Sequence, residues 1–156
     1  MDLHVQLVVI GRIALAALLG YLVGLDRALR GKDAGDRTFA LVALGSAAFV
    51  ALGVELFPDS ADRVIQGVTA GVGFLGAGII FRASGGVRGL TTAAALWTAA
   101  AVGCLVGAGL YLSAAGLAGI ILVVLELHVV GPIKRITDRK RTSERHRPEP
   151  EGDREI

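Results

Sequence analysis

The chain is poor in the residues that staple a fold or run a reaction. It has a single cysteine, Cys104, so no disulfide can form within it. Only 5% of its residues are aromatic. His4 and His128 lie at the ends of apolar segments and form no metal-ligand set. There is no nucleophile–base pair and no phosphate-binding lysine loop, so the reading is of a protein that is not an enzyme and carries no cofactor. Charge is missing over long distances. No Asp or Glu lies between Asp62 and Glu126, and no Lys or Arg between Arg88 and Lys134. The formal net charge of +2 is too modest to point to nucleic acid.

What is abundant is apolar sequence. Of 156 residues, 53% are hydrophobic and 22 are glycine, with a mean hydropathy of +0.63. A soluble domain of this size must cover a large polar surface and does not average so apolar. Five apolar segments stand out: Leu7–Leu25, Thr38–Phe57, Val64–Phe81, Gly89–Val106 and Leu110–Leu127. Each approaches the roughly 20 residues that a spanning helix needs. Backbone polar groups in hydrocarbon must be satisfied within the segment, and period-two alternation is absent, so helices are expected rather than a barrel. The expected fold class is therefore all-α, a polytopic membrane bundle of about five helices. It occupies residues 1–131 and is followed by a charged, disordered tail over 132–156. The start "MDLHVQ" lacks the basic region of a cleaved signal peptide.

Orientation follows from the basic residues. With the N-terminus outside, the inside segments hold Arg27, Arg30, Lys32 and Arg37, then Arg82 and Arg88, then eight more from Lys134 to Arg154. Arg63 alone stays outside, with Arg12 inside the first helix. This imbalance predicts a cytoplasmic C-terminus. The basic run Lys134–Arg141 can rest on anionic lipid head groups.

The stretch "GVGFLGAG" (Gly71–Gly78) begins as G-x-G-x-x-G, a dinucleotide fingerprint. Such a loop needs a preceding strand and an acid about 20 positions on. Position 96 is Leu and the flanks are unbroken apolar sequence, so the cofactor reading fails. Helix packing explains the glycines better. Small residues let helices in lipid approach closely. Gly67, Gly71, Gly73, Gly76 and Gly78 are expected to do this in the third helix, Gly20 and Gly24 in the first, and Gly103 and Gly107 in the fourth. One stripe could face a second subunit, giving a homodimer.

Charges at the membrane ends are the candidate site, because such groups seek a partner or a wet cavity. Asp26 and Arg27 end the first helix, Arg37 opens the second, and Arg88, Thr91 and Thr92 open the fourth. Asp26 is expected to pair with Arg37 or Arg88. This cluster could fix packing, or bind an ion, a lipid head group or a protein. At the other side Arg12 either snorkels outward or meets Glu55.

Together these pieces resemble the membrane domain of the MgtC/SapB family. "ALLGYLVGLDR" (Ala17–Arg27), "AGDRT" (Ala34–Thr38), "LVALGSAAF" (Leu41–Phe49), "GVGFLGAGII" (Gly71–Ile80) and "VRGLTTAAALW" (Val87–Trp97) run in family order. The family usually has Glu where Asp26 stands. Larger members add a folded cytoplasmic domain where this sequence has a short charged tail. The resemblance implies a multi-pass protein of the bacterial inner membrane. It also implies a role in adaptation to low magnesium or in virulence, by modulating membrane proteins such as the membrane sector of ATP synthase. The alternative is a small Mg²⁺ transporter or channel. Mg²⁺ wants oxygen ligands and dehydrates reluctantly. The third and fourth helices contain no carboxylate, so no metal site is expected.

Overall fold

A computed structural model describes residues 2–81 and 89–126, with Phe81 described by its backbone only. Among these residues the chain is helical and has no strand. The helices are α1 (Leu3–Leu29), α2 (Asp36–Leu56), α3 (Ala61–Phe81), α4 (Leu90–Gly107) and α5 (Tyr111–Glu126), with a short 3₁₀ turn at Pro58–Ser60 between α2 and α3. Four of them, α1 to α4, are long and apolar enough to cross a membrane. The sixteen described residues of α5 are apolar and rise about 24 Å. The chain divides into two compact units, Met1–Leu122 and Val123–Ile156. Of the second, the structure describes only the last turn of α5. The expected tail at 132–156 lies outside the described residues.

In the first unit α2 is the central element. Its buried residues Phe39, Ala43, Ala47 and Val50 lie at helical spacing along one side of the helix. Glycines of two neighbours close on it. A Cβ at Gly20 of α1 would sit 2.6 Å from the Phe39 carbonyl oxygen, and one at Gly24 would sit 2.7 Å from Asp36 Cα. From α4, a Cβ at Gly103 would collide with the Ala43 carbonyl oxygen, and one at Gly107 would lie 2.6 Å from that of Ala47. Each pair is spaced by four residues and so shares a face. Without side chains at these positions the backbones touch, and dispersion contacts replace the hydrophobic drive that lipid does not supply. Leu96, Ala99, Val102 and Val106 of α4 complete the core and are buried.

α3 is different. Gly76 rests on Ala93 of α4 at an ordinary 3.6 Å. A Cβ at Gly67, Gly71, Gly73 or Gly78 would meet no atom of the described chain within 4 Å. Of the five glycines expected at helix-packing positions in α3, only Gly76 has a neighbour within 4 Å of its Cβ position among the described residues. Only 11% of the apolar window of α3 is buried, against 56% for α4, so most of its small-residue surface faces away from the bundle.

Glycine is required by backbone geometry at two of the helix junctions. Gly89 caps the start of α4 with φ +82°, and Gly109 turns the chain between α4 and α5 with φ +83°. Both are left-handed conformations that a Cβ disfavours.

Candidate functional site

α1 runs to Leu29, so its last turn carries Asp26 and Arg27 to the end of α4 where Thr92 sits. Arg27 is only 4% exposed and Thr92 only 3%. The Arg27 guanidinium donates from Nη2 to Thr92 Oγ1 at 3.0 Å. Its Nη1 lies 3.9 Å from Asp26 Oδ2, an ion pair too long to be a hydrogen bond. Asp26 Oδ1 accepts from Arg30 Nε at 2.7 Å, one turn along the same helix. Two buried atoms, Asp26 Oδ2 and Arg27 Nε, have no hydrogen-bond partner among the described residues. Native interiors hold few such atoms, because each costs desolvation. The cluster is therefore a charged knot whose hydrogen-bonding capacity is only partly used.

Its composition differs from the expected one. Asp26 pairs with Arg30 and Arg27, not with Arg37, which is exposed on α2. Arg88 lies outside the described residues. Thr91 is exposed, so of the two threonines only Thr92 joins the cluster. Arg30 enters the cluster as a residue that the sequence marks only as one of the inside basic residues. Its spacing of i+4 from Asp26 was the available signal.

A second polar knot ties the other end of α1. Arg12 Nη1 lies 3.6 Å from Glu55 Oε1 of α2, and the same nitrogen donates to the Gly107 carbonyl at 3.0 Å. Arg12 Nε donates to Tyr111 Oη at 3.2 Å. Arg12 thus reaches Glu55 and also caps the C-terminal carbonyl end of α4, where a cation is favoured. Tyr111 and the Gly107 carbonyl are 99 and 95 residues away in sequence, and no pattern signals them.

Among the described residues no group of three or more His, Cys, Asp or Glu side chains could hold a metal ion. Cys104 lies half-buried in α4 as a free thiol. Trp97 is 49% exposed on the outside of α4.

Four spanning-length apolar helices, glycine contacts in place of polar interhelical surface, and charges that, Arg12 apart, lie towards the helix ends define a multi-pass membrane helix bundle. The family model for the MgtC family matches residues 13–135, and the chain belongs to that family. Protein SrpB of Synechococcus elongatus is 42% identical over 149 residues, covering 86% of this chain and 81% of that protein. Protein MgtC of Salmonella typhimurium is 47% identical over 107 residues, covering 69% of this chain and 46% of that protein. Protein MgtC of Brucella abortus is 52% identical over 101 residues, covering 64% and 42%. The matched region is thus less than half the length of these MgtC proteins. No solved structure matches the chain.

Proposed function

We propose that this protein is a non-enzymatic component of the bacterial inner membrane, with its N-terminus outside, that acts by binding laterally to other membrane proteins. As the family resemblance implies, the setting is adaptation to low magnesium or to a host, and the membrane sector of ATP synthase is the first target to test. The observation that carries this reading is the outward face of α3. Ala70 and Gly73 are exposed there, and Ala77 lies on the same side of the helix. Small residues on a lipid-facing helix give a partner helix a smooth surface to approach. An ion path is less well supported. Asp26 is held by Arg30 and Arg27, and Glu55 by Arg12, so the carboxylates at the ends of α1 and α2 are already charge-compensated.

The test has two arms. A photocrosslinking residue at Gly73 in native membranes is expected to capture another membrane protein, with the ATP synthase membrane sector among the products. The purified chain in liposomes is expected to pass no Mg²⁺. Saturable Mg²⁺ flux that disappears in Asp26→Asn would overturn the proposal in favour of a transporter.

A further inference from the structure

Between α2 and α3 runs an apolar groove of about 610 Å³. Leu41, Gly45 and Phe49 belong to its α2 wall, and Val64, Gly67 and Gly71 to its α3 wall. Ser46 is the one lining residue with a polar side chain, and its Oγ is already bonded to the Val42 carbonyl at 2.7 Å. Gly45, Gly67 and Gly71 leave the groove open, since a Cβ at any of them would meet nothing within 4 Å.

The dimensions select the occupant. From Val64 to Leu75 the α3 wall is about 16 Å long at the helical rise of 1.5 Å per residue. A spanning partner helix needs about 30 Å. A single extended hydrocarbon chain has the right length, because one leaflet is about 15 Å deep.

One end of the groove is also chemically marked. Arg37 precedes Leu41, the groove residue nearest the start of α2, by one turn of helix. Arg37 is exposed and makes no ion pair among the described residues, although Asp36 is its neighbour in sequence. Side chains lean toward the helix N-terminus, so its guanidinium is carried outward to head-group level. Arg37 to Phe49 spans about 18 Å along α2. Past the far end of the groove, Asp59 and Asp62 accompany Arg63 and do not favour an anion.

We propose that this groove holds one anionic phospholipid, with an acyl chain between α2 and α3 and the phosphate-bearing head group at Arg37. The site is distinct from the outward face of α3 and does not depend on it. The chain acquires by this means a fixed requirement for acidic lipid in its surroundings.

The experiment is native mass spectrometry of the full chain released from nanodiscs of mixed phosphatidylglycerol and phosphatidylcholine. The expected result is one retained lipid per chain, enriched in phosphatidylglycerol. Arg37→Gln is expected to lower that enrichment about fivefold, the factor one basic residue carries near an anionic surface, while a lipid is still retained. The double variant Gly45→Leu/Gly71→Leu fills the groove and is expected to lose the retained lipid of either kind. A thermal melt of the same variant in detergent is expected to match the parent. If it does not, Gly71→Leu alone serves, and its retained lipid must fall. Retention unchanged by the filling substitutions, or a crosslinker at Gly71 that captures protein instead of lipid, would overturn the proposal.

Discussion

Arg27 Nη2 and Thr92 Oγ1, 65 residues apart in sequence, meet at 3.0 Å in a buried contact that joins the end of α1 to the beginning of α4. A hydrogen bond to a charged donor contributes about 1.5–3 kcal/mol, and its loss leaves a second nitrogen of Arg27 unsatisfied. Thr92→Val keeps the shape and removes the acceptor. It is expected to destabilise the bundle by about 2 kcal/mol, while Thr92→Ser stays close to the parent. Unfolding of the purified protein in mixed micelles measures both.

The glycines separate into two classes with opposite expected outcomes. Gly103→Ala places a methyl group against the Ala43 carbonyl and the Ser46 side chain, and overpacking of this kind costs about 1–3 kcal/mol. Gly67→Ala adds its methyl to open space and improves helix propensity, so its stability is expected to equal or exceed the parent's. Thermal melts of the two variants side by side decide this.

Arg12 contacts Glu55, the Gly107 carbonyl and Tyr111 at once. Arg12→Lys retains the charge but cannot reproduce a planar fork reaching several acceptors. It is expected to recover only part of the stability lost in Arg12→Gln. A double-mutant cycle with Tyr111→Phe is expected to return a coupling energy of at least about 0.5 kcal/mol. Strict additivity would refute a functional Arg12–Tyr111 contact.

Asp26 bears most directly on mechanism. Asp26→Asn leaves Arg27 buried without its counter-charge, and breaking a buried pair on one side costs about 3–5 kcal/mol. Lower yield and a lower melting temperature are expected, whereas the reading as a lateral binder expects no change in Mg²⁺ permeability of liposomes. Arg30→Gln, which removes the more exposed partner, is expected to have a smaller effect on stability.

Much of the architecture was legible in the sequence. Apolar runs without charge, bounded by Asp62, Arg88 and Glu126, define the helices because a backbone in hydrocarbon has few other options. Ordered motifs from Ala17 to Trp97 led to the family. For Arg12 the sequence left two outcomes open, snorkelling outward or meeting Glu55, and the structure sets it 3.6 Å from Glu55 Oε1.

What the chain could not declare by itself was which apolar face meets which. In water, polarity separates the inside of a helix from its outside; in lipid both sides are apolar, so periodicity loses that information. The glycines of α3 and α4 look alike in sequence. Only the tertiary arrangement brings Gly103 and Gly107 against the backbone of α2 and leaves Gly67, Gly71, Gly73 and Gly78 open. The same holds for charge. That Asp26 and Arg27 needed partners followed from the cost of burying ions, but choosing Arg30 and Thr92 over Arg37 and Thr91 depended on the rotation of α1 and α4 about their axes. Composition thus determined that this is a membrane helix bundle. Close contact at a few glycines decided its packing and left α3 facing outward.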